Sequence, residues 1–274
     1  MLIDYDNKAV FIHIPKTAGI SVSACLKHTV GSSVKSERSK HSYSLTNIPK
    51  NLPELTNITE HSGINDILAG GFPNIKDINI NQYFVFTVIR NPWGQLSSYY
   101  NFFKKMQFKG FEDITFETFI KLLKTHEYPS PSHYGFIYDS KGYKRVDEII
   151  YLEDFDNQWK QKVHKNLPMY PERVNSLLNN SQKPFYDYRD AYTEEMIDIV
   201  SEVRKKDIEI FGYTFEGGPT QVPSVKIPDR IEPYEAKTNW VTDGEPINEN
   251  NAPAHGIILT DTLKKLYKAV DFTA

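Results

Sequence analysis

The chain has 274 residues, 39% of them hydrophobic and 13% aromatic, which supplies one substantial α/β core and is cramped for two full domains. Its 32 lysines and arginines against 35 aspartates and glutamates leave a net charge of −3, with no sign of a nucleic-acid surface, and its single cysteine excludes an intramolecular disulfide. No stretch approaches the roughly 20 apolar residues of a membrane span, and Asp4 and Asp6 behind Met1 do not fit a signal peptide, so a reducing cytoplasmic setting is expected.

The first informative stretch runs from Ala9 to Val22. The apolar and β-branched residues Ala9 to Ile14 predict a buried parallel strand; Pro15 stops it, and Ala18, Val22 and Leu26 resume at helical spacing. Strand, tight loop and helix N-terminus together aim backbone N–H groups and the positive end of a helix dipole at one spot, which suits an anion. Lys16 adds a mobile charge, Thr17 and Ser21 add hydroxyls, and Gly19 is read as permitting close approach to the backbone. The first glycine of Gly-x-x-x-x-Gly-Lys-[Ser/Thr] is missing and Pro15 stands before the lysine, a poor fit to an ordinary triphosphatase. Cys25, between Val22 and Leu26, reads as a buried structural thiol, and His13 as structural.

Residues 28 to 60 are polar and aperiodic, either a surface excursion or an acceptor-binding flap, and Ile64, Ile67 and Leu68 predict a short helix ended by Gly70-Gly71. A second strand, Phe84 to Ile89, runs into Arg90, with Asn91 as a helix N-cap and Pro92 as the first helical residue. Arg90 then ends the strand and Ser98 lies on the second turn of the helix, a planar cation and a hydroxyl suited to a phosphate dianion.

These two blocks, Phe11-Ile12-His13-Ile14-Pro15-Lys16-Thr17-Ala18-Gly19 and the strand ending in Arg90-Asn91-Pro92 followed by a serine-bearing helix, carry a resemblance. They are similar to the 5′-phosphosulfate loop and the 3′-phosphate motif of sulfotransferases that use 3′-phosphoadenosine 5′-phosphosulfate (PAPS), of the carbohydrate type that includes heparan sulfate 2-O- and chondroitin-type enzymes and bacterial relatives. Animal members of that family are usually Golgi-anchored; with no anchor here, the resemblance implies a bacterial or viral cytoplasmic form. It implies a three-layer P-loop-like fold with a mainly parallel central sheet, cofactor contacts from Lys16, Thr17, Ala18, Gly19, Ser21, Arg90, Ser98 and Lys183, and no metal. Ile20 departs from the family, where threonine is common, which puts one hydroxyl contact in doubt. The family carries its general base between the two cofactor blocks, and there His61 is favoured over His41, with Glu60 weaker. Catalysis is thereby assigned to His61 and Lys16, and the acceptor to a hydroxyl on a carbohydrate or glycoconjugate.

Further along, Phe116, Phe119, Ile120 and Leu123 predict a helix, and Glu148 to Leu152 a strand running into Glu153-Asp154. Acids after a strand fit either a Walker B metal site or a structural family feature, with the second preferred. The aromatic stretches Tyr99 to Phe111 and Tyr128 to Tyr143 read as core or as a platform for a sugar ring or lipid. A helix is expected from about Thr193 to Gly212, with Met196, Val200 and Val203 on its apolar face. The resemblance reaches about residue 215, giving a sulfotransferase domain over 1–215 and an irregular extension over 216–274 that ends in a helix near Thr260 to Val270. Two other readings stay open: a nucleotide-dependent kinase or triphosphatase, and a catalytically silent nucleotide- or glycan-binding module.

Overall fold

The computed structural model describes residues 1–4, 6–29, 63–68, 79–105, 111, 113–124, 132–174 and 187–235. Four short strands form one sheet in sequence order: β1 (Leu2–Asp4), β2 (Ala9–Ile12), β3 (Phe84–Ile89) and β4 (Glu148–Tyr151). β2 and β3 run parallel from Ala9↔Phe84 to Ile12↔Thr87, and β3 and β4 run parallel from Phe86↔Glu148 to Ile89↔Tyr151. β1 pairs antiparallel with β2, so the expected mainly parallel sheet is a mixed one. Three residues at a chain end show too little alternation to be read as a strand. They are held because Asp4 is buried and accepts hydrogen bonds from Tyr170 Oη at 2.6 Å and from both the backbone and side chain of Asn7.

Strand alternation sends side chains to both faces, and both are covered. Val10, Ile12, Val85, Ile89 and Ile149 pack with Trp93, Leu96 and Tyr99 of α3 (Pro92–Lys105). Phe11, Phe86, Val88 and Ile150 pack on the other face with Val22 and Leu26 of α1 (Gly19–Thr29), and with Trp159 and Val163 from a π-helical turn, Trp159–His164. The first face is completed by α2 (Ile64–Leu68), α4 (Phe116–Leu122), α5 (His133–Ile137), α7 (Glu194–Val203) and α8 (Lys205–Phe211), and the second by α6 (Phe155–Gln158). The protein is therefore α/β, a mixed sheet flanked by helices. Among the described residues no helix is long and apolar enough to cross a membrane.

Several elements differ from expectation for identifiable reasons. β2 ends at Ile12 rather than Ile14, because Thr87 Oγ1 donates to the Ile12 carbonyl at 2.7 Å and closes the ladder there; His13 and Ile14 are buried but belong to the turn. The helix expected from Thr193 to Gly212 is two, broken at buried Arg204 (φ −106°, ψ 14°). Beyond the break, Asp207 accepts hydrogen bonds from the N–H groups of His133 and Tyr134, both at 2.9 Å, and so caps the N-terminus of α5. With the chain bent there, Ile199 joins Met196 and Val200 in the core and Val203 is exposed. Cys25 is half-buried rather than buried. Residues 216–235 form an irregular strap laid on the 138–144 turn, with Tyr138 donating to the Pro228 carbonyl and Ile231 N–H to that of Gly142. The helix expected near Thr260 to Val270 lies outside the described residues.

Candidate anion site at two strand ends

Because β2 and β3 are parallel neighbours, their carboxyl ends open side by side, and the Lys16 and Arg90 turns are brought together. The structure fastens them. Arg90 Nη1 donates to the Lys16 carbonyl at 3.3 Å, and Gln95 Nε2, one turn into α3, donates to the Pro15 carbonyl at 2.9 Å. Inside the first turn, Thr17 Oγ1 donates to the Ile14 carbonyl at 2.8 Å. Thr17 is fully buried, and its hydroxyl proton shapes the loop.

The first turn is strained. Lys16 and Ala18 sit at φ +65° and +64°, the left-handed region that costs a non-glycine residue about 1 kcal/mol or more. The first bond of α1 is Val22 N–H to the Ala18 carbonyl, so the N–H groups of Gly19, Ile20 and Ser21 precede the helical ladder at its positive end. Gly19 meets a further, structural demand. A Cβ built there would lie 1.7 Å from His13 Nε2, so the glycine makes room for the histidine ring, which is buried and stacked at 5.7 Å on Phe11. His13 is thus structural, as read. Ile20 is 60% exposed at the mouth of the turn.

The second turn is relaxed. Asn91 Oδ1 accepts from Trp93 N–H at 3.1 Å, its Nδ2 donates to the Thr214 carbonyl at 3.0 Å, and its own N–H donates to Glu153 Oε1 at 2.7 Å. Glu153 Oε2 accepts from Tyr213 Oη at 3.2 Å. Both oxygens of the acid that follows β4 therefore hold the start of α3 and the segment after α8, which is a structural role. Asp154 accepts from Asn157 at 2.7 Å. Among the described residues no cluster of three His, Cys, Asp or Glu is arranged for a metal ion. Gly94 lets Arg90 and Tyr188 lie against α3, since a Cβ there would meet Tyr188 Cδ1 at 3.0 Å and Arg90 Nε at 3.3 Å.

Electrostatically the two turns differ. Burial pulls the Arg90 guanidinium down and the nearby Glu153 carboxylate opposes it. Burial also pulls Lys16 down, and its charged neighbours, Arg90 and then Lys105, push the same way, to about 8. Lys16 Nζ lies 4.2 Å from the centroid of the Phe102 ring. Gln95, Phe102 and Lys105 thus all act on the Lys16 turn from α3, at a 7- and 3-residue spacing that defines one helix face, and Ser98 shares that face. Of these four, Ser98 alone is expected from the sequence. Their common face was legible once a helix from Pro92 was assumed; which face met the first loop was not.

His61, His41, Glu60 and Lys183 lie outside the described residues. Much of the described part of the two aromatic stretches is core: Tyr99, Phe103 and Phe111 in the first and Phe136 and Tyr138 in the second are buried, and half-buried Phe102 faces the lysine. Compared with protein-family models, curated proteins and solved structures, the chain gives no match in any of the three.

Proposed function

We propose that the protein is a PAPS-dependent sulfotransferase of the carbohydrate type, with a P-loop-like fold and a hydroxyl acceptor on a glycan or glycoconjugate. The observation that supports this reading is the pair of strand-to-helix turns fastened to each other by Arg90 and Gln95, with the cations Lys16, Arg90 and Lys105 gathered at them. A bisphosphorylated nucleotide has two anionic ends, and two adjacent cationic strand-to-helix turns fit that donor set. The backbone of residues 16–19, Ser21 and Lys16 would hold the 5′ end; Arg90 and Ser98, with Lys183, the 3′-phosphate. When bound, the donor supplies a sulfuryl group to the acceptor hydroxyl.

The chain's own part is charge and proton handling. Lys16 is placed to meet negative charge at the 5′ end, and its poor hydration strengthens that interaction. His61 is assigned the proton of the acceptor hydroxyl, a task suited to an imidazole neutral at pH 7. His61→Ala is expected to keep nucleotide affinity and lose roughly 10²- to 10⁴-fold in turnover. The kinase reading is disfavoured because the acid available for a Walker B role, Glu153, has both oxygens engaged by Asn91 and Tyr213.

The deciding measurement is thermal stability with ligands. Adenosine 3′,5′-bisphosphate should raise the melting temperature without added metal, since a ligand of the folded state stabilises it by mass action, and ATP should do less. Equal stabilisation by ATP that depends on magnesium would replace this reading with the kinase one.

A further inference from the structure

The Lys16 side chain is directed by everything around it. Its backbone is held left-handed, its carbonyl is taken by Arg90, and the preceding carbonyl is taken by Gln95 from α3. The ammonium then rests 4.2 Å from the Phe102 centroid, a cation–π distance, one helical turn before Lys105. The charged groups acting on it from the packed elements are Arg90 at the end of β3 and Lys105 on α3, both cations. An aromatic face offers a cation some electrostatic compensation and no hydrogen bond, so an ammonium seated there is short of partners until an anion arrives.

We propose that Phe102 is a positioning residue of this site: its ring seats the Lys16 ammonium at the mouth of the first turn and keeps it poorly hydrated, ready for an anion. The inference rests on the Lys16 turn being an anion site, as the proposed function has it. The seat acts by two opposing effects that substitutions separate. The ring's bulk keeps water from the ammonium, which favours the neutral amine; its π face favours the cation.

The test reads Lys16 directly, without ligand. Lysines are dimethylated with ¹³C-formaldehyde and followed by NMR against pH, with Lys16→Arg identifying the signal. Native Lys16 is expected to titrate near 8. Phe102→Ala admits water and should raise the midpoint by about one pH unit or more; Phe102→Leu keeps the bulk without the π face and should leave it unchanged or lower; Phe102→Tyr should restore the native value. A merely structural role for the ring would not separate alanine from leucine in this way. Phe102→Leu also covers the case in which the alanine variant does not fold. A native midpoint at the ordinary lysine value, or one the same in alanine and native proteins, overturns the seat. Calorimetry with adenosine 3′,5′-bisphosphate on the same variants separates the two ideas: no binding at any pH, with the midpoints behaving as described, keeps the seat and rejects the sulfotransferase reading.

Discussion

The Lys16 and Arg90 turns are built on the same plan, a parallel strand feeding a helix, yet they are finished in opposite ways. At Arg90 the helix start is capped by Asn91, the nearby charge is balanced by Glu153, and the backbone is unstrained. At Lys16 two non-glycine residues are left-handed, and the charged groups acting on the lysine are both cations. Strain and unbalanced charge persist only where the surroundings impose them, and here the imposing groups, Arg90 and Gln95, come from the second turn. Under the proposed function the contrast divides the work: the Arg90 turn is a finished seat for the 3′ end, and the Lys16 turn is the one held in readiness for charge at the reacting end.

The largest effect should come from removing the charge that is held ready. Lys16→Ala is expected to slow the chemical step about 10²-fold or more, measured in single turnovers at saturating PAPS, because it removes charge stabilisation at the reacting end. Arg90→Ala and Ser98→Ala should mainly weaken nucleotide binding. An unchanged single-turnover rate in Lys16→Ala would erase the distinction between the turns.

Next in size is a pH effect confined to the first turn. The folded value of Lys16, about 8, lies below the ordinary 10.5. Between the two the unfolded chain holds this proton and the folded chain does not, so the group's cost to the fold is full below about 8 and is relieved as pH rises toward 10.5. Anion binding runs the other way, because it needs the protonated lysine: affinity for adenosine 3′,5′-bisphosphate should fall by up to about tenfold per pH unit above 8. Melting and calorimetry in native protein and Lys16→Met, from pH 7 to 10, isolate the lysine from other groups. The same pH slope in both proteins would show that Lys16 is not the titrating group.

Much of this architecture was legible because the signals were local. β3 is the continuous apolar run Phe84–Ile89, α3 starts at the proline after a capping asparagine, and α8 ends at Gly212 in the left-handed region. Proximity of the two turns followed from parallel pairing alone. What was not legible depended on contacts distant in sequence. Gln95 reaches Pro15 across 80 residues and Asn91 reaches Thr214 across 123, and nothing in the chain order announces either. The break at Arg204 was missed because helical periodicity runs through it; the reason for it, Asp207 capping α5, lies 74 residues away at His133. The structural demand on Gly19 was not legible because the neighbour that needs the space, His13, belongs to the turn and meets the glycine only once the turn is folded.

The smallest expected effect tests the finished turn. Asn91 does two separable things: its Oδ1 caps α3 through Trp93 N–H, and its Nδ2 ties the helix start to Thr214. Asn91→Ala loses both and leaves the part-buried Thr214 tie unmade, so a loss of about 1–2 kcal/mol is expected in denaturant unfolding, the usual scale for a cap and a hydrogen bond. Asn91→Asp keeps an acceptor for the cap, which aspartate fills as well as asparagine, and should recover part of that loss. Its new carboxylate, however, stands beside Arg90 and the Glu153 carboxylate that already accepts the residue's own N–H. That second negative charge should weaken bisphosphate binding in the aspartate variant while alanine leaves it near native, so stability and affinity would rank the two variants in opposite orders. Equal affinities in the two would mean that charge added at the second turn is not felt by the ligand, and would place the anion at the Lys16 turn alone.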